Sequence, residues 1–180
     1  MKKNIFIACC FLLFLSQVTF ASYAIEVDRK VPRDSKVNVQ IYVPSLLLGV
    51  VSGDINFKLS ERVTLGPQAS YYSYGGYKGY DVGLSMNYSL SGDVFNDRTW
   101  LLNPYVSYTY SDLSYDVLEN KKIKKGGIIT GANLVYQWMW DCGVNVHLGV
   151  GAYYSSKKPL LHIGETHIGG MCLLSIGYAF

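Results

Sequence analysis

Three histidines are the side chains best suited to acid–base or metal chemistry in this chain: His147, His162 and His167. The segment from His162 to His167, which includes Glu165, would bring two imidazoles and one carboxylate together in a loop. Its spacing differs from the helical H-E-x-x-H pattern that holds zinc on one helix face. Histidines in surface loops are more often solvated than ligating. We therefore predict no metal, no cofactor and no catalytic residue.

Lysines form the second group with evident chemistry. Four of them lie close together in the chain, at Lys121, Lys122, Lys124 and Lys125. Basic segments beside a membrane are attracted to anionic headgroups. Contact with the phosphates of lipopolysaccharide and simple solvation of a loop explain the run equally well, so we carry lipopolysaccharide contact as a hypothesis.

Both groups lie within or between segments that alternate with a period of two. The clearest is Tyr80 to Ser91, where Tyr, Val, Leu, Met, Tyr and Leu alternate with Asp, Gly, Ser, Asn, Ser and Ser. This pattern is typical of β-strands, because successive side chains of a strand point to opposite faces. The same alternation recurs in Val63–Tyr72, Trp100–Ser111, Ala132–Trp140, Val144–Tyr154 and Leu173–Phe180.

The two faces of these segments differ in character. One carries large apolar and aromatic residues, whereas the other carries mainly Gly, Ser, Thr, Asn and Gln with almost no charge. A water-exposed sheet surface would carry more Lys and Glu, so the apolar face is predicted to meet lipid and the polar face a crowded interior. The charged or titratable residues predicted to face inward are Lys58, Asp81 and His147, and a contact between Lys58 and Asp81 is conceivable. The expected uncharged inward set is Gly66, Gln68, Gly83, Asn87, Asn103, Asn133, Gln137, Gly149, Gly151 and Gly177.

The connections between segments predict strand number and orientation. Short turns are expected at 60–62, 91–98 and 141–143, and longer loops at 73–79, 112–125 and 155–169; in membrane barrels, short turns face the periplasm. Seven strands are clear, and an even number is required. The eighth is expected at Lys36 to about Leu46, followed by a second strand from about Val50 to Leu59. One long kinked strand over both ranges is the alternative.

The start of the chain predicts export. Lys2 and Lys3 precede an apolar run that is too short to span a bilayer, and small residues follow, as in a cleaved signal peptide. Cleavage after Ala24 is favoured over Ala21, so the expected organisation is a signal peptide at 1–24, a periplasmic lead-in at 25–35 and a barrel at 36–180. Loss of two lysines lowers the formal net charge from +3 to +1, which leaves no basis for nucleic-acid binding. Cys142 and Cys172 are expected to be free thiols at different heights.

The last strand ends in Tyr178, Ala179 and Phe180, with an aromatic at the terminal position. With the alternating segments and the signal peptide, it makes the chain resemble the small eight-stranded outer-membrane proteins of the OmpX and OmpW kind. The resemblance implies an antiparallel up-and-down transmembrane β-barrel in the bacterial outer membrane. It also implies that Tyr178 and Phe180 belong to the signal read by the barrel-assembly machinery.

The function expected for such a barrel is non-enzymatic, in envelope integrity or in surface interactions through the outer loops, with the chain as a monomer. A general porin is disfavoured, because the interior of eight strands is just wide enough for side chains to fill. A narrow conduit for small solutes and a lipid-modifying enzyme remain as alternatives. The enzyme alternative is disfavoured, because some outer-membrane lipid A deacylases use a His-x-Ser pair, whereas Gly149 stands two positions after His147.

Overall fold

The computed structural model describes residues 35–47, 49–74, 77–115, 121–156 and 167–180. These residues form strands joined in chain order, with one short helix after the first strand. The elements are β1 (Val37–Tyr42), α1 (Val43–Leu47), β2 (Val50–Ser60), β3 (Val63–Tyr74), β4 (Tyr77–Ser89), β5 (Arg98–Tyr115), β6 (Lys121–Met139), β7 (Val144–Ser155) and β8 (Ile168–Ala179). The predicted signal peptide and all of the lead-in except Ser35 lie outside the described residues.

The eight strands close into a single antiparallel barrel in which every strand pairs with its neighbours in the chain. Closure joins β1 to β8, with Asn38 opposite Ala179. The predicted antiparallel up-and-down barrel of eight strands is therefore confirmed. One end, called the terminal end below, carries residues 35 and 180 and the turns at 61–62, 90–97 and 140–143. The opposite end, where β3 leads to β4, β5 to β6 and β7 to β8, is called the loop end.

The period-two pattern accounts for the two faces of the wall. Outward side chains such as Val82, Leu84, Val106 and Val150 are large, apolar and about half exposed, whereas most inward residues are small or polar. The large apolar residues that also face inward include Leu101, Val135, Met139 and Leu173. Glycine is required where strands approach closely: a Cβ added at Gly66 would overlap the carbonyl oxygen of Ile55. The predicted assignment of residues to the two faces is confirmed.

The first strand is shorter than predicted. It ends at Tyr42, after which Val43–Leu47 forms a helical turn and Gly49 reverses the chain with a φ of 73°. Pro44 suits the start of a helix, since its missing N–H would have had no partner there. Because β1 and β2 are separate antiparallel partners, the alternative of one long kinked strand is wrong.

The hairpins at the loop end are longer than predicted. Positions 73 and 79 belong to β3 and β4, so most of the predicted loop 73–79 is strand. The predicted loop 112–125 is likewise mostly strand, because β5 runs to Tyr115 and β6 starts at Lys121. Cys142 and Cys172 are free and exposed, as predicted. Among the described residues, no helix is both long and apolar enough to cross a membrane.

Candidate functional site

The terminal end of the barrel is closed by the turn between β4 and β5. Val94 and Phe95 fold inward and are only 1% and 5% exposed. They belong to one buried apolar cluster with Leu101, Val135 and Met139. We call Val94 and Phe95 the plug. The backbone N–H of Val94 donates to the carbonyl oxygen of Glu61 at 2.6 Å, which connects the plug to the turn between β2 and β3.

An ion pair holds the same plug from the side. Lys58 Nζ lies 2.6 Å from Asp93 Oδ2 and 5.6 Å from the centre of the Phe95 ring. Asp93 also accepts a hydrogen bond from the backbone N–H of Phe95 at 2.8 Å. Lys58 faces inward, and its partner is Asp93 rather than Asp81. Alternation along a strand predicts the face of a side chain and says nothing about the turn that will fold beneath it.

His147 lies above the plug in a network of buried amides. Its Nε2 is 2.7 Å from Gln137 Oε1, and its Nδ1 is 2.8 Å from Gln40 Nε2. Gln137 continues downward, with Nε2 donating to the carbonyl oxygens of Val94 at 2.9 Å and Asn96 at 3.1 Å. His147 is 4% exposed and faces the lumen. Gln40 Nε2 also lies 2.9 Å from His147 Nε2, so the imidazole is enclosed by two amides.

A second chain of amides crosses the opposite wall. Asn133 Nδ2 donates to Asn103 Oδ1 at 2.9 Å, Asn103 Nδ2 donates to Asn87 Oδ1 at 2.9 Å, and Asn87 Nδ2 donates to Thr64 Oγ1 at 3.1 Å. The ladder joins β6, β5, β4 and β3 in order. Asn103 and Asn87 each donate and accept, whereas Asn133 Oδ1 at the start of the ladder has no partner.

Two carboxylates also face the lumen. Asp81 was predicted there, and its Oδ2 accepts from Ser70 Oγ at 3.4 Å. Asp54 is 6% exposed and accepts hydrogen bonds from the Tyr42 hydroxyl and the Asn56 amide. The sequence reasoning missed Asp54, although it shares the inward phase of Asn56 and Lys58. Within the described residues, neither carboxylate forms an ion pair, since the one salt bridge found joins Lys58 to Asp93.

A cavity of about 320 Å³ occupies the lumen toward the loop end. Its lining combines polar side chains with aromatic and aliphatic ones, among them Asp81, Asn133, Tyr42, Tyr105, Tyr153 and Met171. The Tyr105 hydroxyl lies 3.2 Å from the Met171 sulfur. Within the described residues, no three His, Cys, Asp or Glu side chains converge as metal ligands. The cavity is of the size that binds small molecules, for which about 300–1,000 Å³ is usual.

The remaining predicted site residues lie at the two ends. Lys121, Lys122, Lys124 and Lys125 begin β6, where Lys124 is opposite Asp112 in the register. Tyr178 and Phe180 point outward at the terminal end, with ring centroids 6.2 Å apart. Phe180 also helps to close the seam, because its carbonyl oxygen accepts from the N–H groups of Lys36 and Val37. Of the loop histidines, His162 lies outside the described residues, whereas the His167 Nδ1 atom is 2.8 Å from the Ser155 carbonyl oxygen.

No protein-family model and no curated protein sequence matches this chain. Its fold is also found in solved structures. The N-terminal β-barrel domain of Pseudomonas aeruginosa OprF superposes with a TM-score of 0.60 at 11% identity, covering 81% of this chain and 98% of that one. Neisserial surface protein A (NspA) superposes with a TM-score of 0.51 at 13% identity, covering 81% and 95%. At such identities the likeness establishes the eight-stranded barrel fold alone.

Proposed function

We propose that this chain is a non-conducting, non-enzymatic β-barrel of the bacterial outer membrane that acts in envelope integrity or surface interactions through its loop end. It is exported with a cleaved signal peptide and lies in the membrane as a monomer. The observation that carries the proposal is the closed lumen inside an apolar outer wall. The terminal end faces the periplasm, because it holds the short turns.

The outer wall supports the membrane location. Apolar side chains form its outward face, and aromatic rings lie near the terminal end on neighbouring strands, where Trp100, Tyr136 and Trp138 pack edge to face. Rings in this position are typical of the interface between lipid and water. The similarity to an outer-membrane barrel domain and to a bacterial surface protein agrees with this location.

The interior supports the absence of conduction. A solute that moved along the lumen would have to displace Val94 and Phe95 and then break the contacts between His147 and Gln137. Breaking such buried hydrogen bonds costs about 1–3 kcal/mol for each group left unpaired. The alternative role as a narrow conduit is therefore disfavoured. The engagement of both His147 nitrogens by amides likewise supports a barrel without hydrolytic chemistry.

The loop end supports a role outside the cell. Strands β5 and β6 have 18 and 19 residues, whereas β7 and β8 have 12 each, so their hairpin reaches beyond its neighbours. The four lysines from Lys121 to Lys125 start β6 on this hairpin. A basic hairpin at that height would meet the phosphates of lipopolysaccharide. We also propose that Tyr178 and Phe180 are recognised by the outer-membrane barrel-assembly machinery.

Two measurements test the proposal together. Fractionation of expressing cells should place the chain in the outer membrane, with migration on a gel that changes on heating. Purified folded barrel should then leave planar bilayers electrically silent. Recovery in the periplasmic extract would overturn the membrane location, whereas discrete ion currents from a correctly located barrel would overturn only the closed lumen.

A further inference from the structure

The barrel wall has a gap on the side where the chain closes. Pairing between β1 and β8 stops at Tyr42 opposite Ser175, yet β8 continues to Ile168 toward the loop end. On the other side of the gap, β2 pairs with β1 only from Gly53 onward, so residues 50–52 of β2 have no partner on β1. Among the described residues no strand spans this gap, and the short helix α1 lies against β2 and β8 instead.

The cavity in the upper lumen reaches this gap. Pro44 and Ser45 of α1 line it, and so does Cys172 of β8. Cys172 is exposed and alternates with the buried Leu173, so it belongs to the outward face of the wall. The cavity therefore extends to the part of β8 that has no partner on β1.

The lining of the cavity combines apolar and polar groups. Its apolar part includes Met171 and Leu173 of β8 and the rings of Tyr105 and Tyr153. Its polar part includes Gln68, Asp81 and Asn103. An occupant that matches this lining has an apolar part along β8 and a polar part toward Asp81.

The polar part of the lining has acceptors that lack donors. Asn133 is 2% exposed, and its Oδ1 has no hydrogen-bond partner because its amide nitrogen already donates to Asn103. Asp81 Oδ1 is also buried without a partner. A buried acceptor without a donor costs about 1–3 kcal/mol, and more when it is charged. A ligand that donates a hydrogen bond to Asp81 would relieve the cost at the charged group.

The charge of this region is negative. Asp81 lines the cavity, and Asp54 lies directly opposite the cavity residue Gln68 in the register of β2 and β3. Among the side chains that the structure describes, the cation that faces the lumen is Lys58, and it is paired with Asp93 in the plug. Buried charges are normally paired, so the cavity is complementary to a positive group.

We propose that this cavity binds an amphipathic primary amine. The ammonium group donates to Asp81 Oδ1, and the apolar chain lies along Met171, Tyr105 and Tyr153 with access through the gap between β8 and β2. The proposal rests on the membrane location proposed above, since the gap opens onto the surface that would face lipid.

Amide shift mapping by NMR on the folded barrel in phospholipid nanodiscs tests the proposal. The probes are n-decylamine, decyl sulfate and decyltrimethylammonium, which share a chain length but differ in charge and in N–H donors. Decylamine should cause saturable shifts at Asp81, Tyr105 and Met171, with an affinity at least about tenfold above both other probes, as expected for hydrogen bonds between charged groups. Amides around His147 in the lower lumen should not shift.

Asp81→Asn should lower the affinity for decylamine at least about tenfold, while Asp141→Asn in the exposed turn at the terminal end should leave it unchanged. Migration of both variants on heating shows that they fold. Equal responses to decylamine and decyl sulfate, shifts confined to outward residues, or full binding by Asp81→Asn would each overturn the proposal. A barrel that does not insert into nanodiscs would overturn the proposed membrane location instead.

Discussion

The imidazole of His147 and the amide of Gln137 meet across 2.7 Å inside the barrel, and the same amide reaches down to the backbone of the plug. The two residues lie on β7 and β6, directly opposite each other in the register. This contact links the wall of the barrel to the turn between β4 and β5. Closure of the terminal end therefore depends on side chains of the barrel wall as well as on the turn itself.

Gln137→Leu should destabilise the folded barrel by about 2–4 kcal/mol, because it leaves the Val94 and Asn96 carbonyls and one His147 nitrogen without partners. Urea unfolding in lipid vesicles measures the loss. Asn96→Ala is the matched control, since the exposed Asn96 contributes its backbone carbonyl and keeps it in the variant. Equal stability of Gln137→Leu and wild type would contradict the role of this amide.

The ion pair between Lys58 and Asp93 should contribute less to the free energy of unfolding than its short distance suggests. Both side chains are partly exposed, at 18% and 34%, so Lys58→Met should cost at most about 1 kcal/mol. Asp93→Ala should cost more, because it also removes the acceptor of the Phe95 N–H group, whereas Asp93→Asn retains an acceptor. Urea unfolding of the three variants should rank Asp93→Ala as the least stable. A larger loss for Lys58→Met would show that the charge pair itself dominates.

Gly66→Ala should prevent correct folding, since the added Cβ would overlap the backbone carbonyl of Ile55 on the paired strand. Gly170→Ala is the control, because the nearest atom to its added Cβ is the Gly151 carbonyl oxygen at 3.8 Å, an ordinary contact. The fraction of each variant that changes migration on heating measures folding. Similar yields for the two variants would contradict the close approach of β2 and β3 at this point.

The two free cysteines provide a test of orientation. In Cys172→Ser, the remaining Cys142 lies exposed in the turn at the terminal end and should react with a membrane-impermeant maleimide only after the outer membrane is permeabilised. In Cys142→Ser, the remaining Cys172 lies on the outward face of β8 and should need a lipid-soluble maleimide. Labelling of Cys142 in intact cells would reverse the proposed orientation, and labelling of Cys172 by the impermeant reagent would contradict its burial in lipid.

Charge reversal of Lys121, Lys122, Lys124 and Lys125 to Glu should weaken binding of the purified barrel to lipopolysaccharide. Each lysine near an anionic surface contributes about 1 kcal/mol to the binding free energy, so the loss of affinity should be large. The loss should diminish with added salt, which screens the charges. Reversal of Lys36 and Arg62, which are exposed at the terminal end, is the control and should have little effect. Unchanged binding by the four-lysine variant would remove this contact from the proposal.

Much of the architecture followed from the order of residues alone. Alternation with a period of two is a local property, so it predicted which face each side chain takes, including the inward positions of Asn87, Asn103, Asn133 and His147. The small residues on that face are required by close packing inside a narrow barrel. The demand for an even strand number then pointed to a strand near Val37.

Tertiary structure decided which inward residues meet. Lys58 faces Asp93 rather than Asp81, and Gln40 reaches His147 across 107 positions of the chain, because strand register and barrel closure set the height of each side chain. The inward fold of Val94 and Phe95, and the early end of β1 at Tyr42, likewise depend on packing against distant strands. The sequence by itself determined the barrel and its two faces, whereas the plug, the cavity and the gap beside β8 arise from contacts between distant residues that no local pattern encodes.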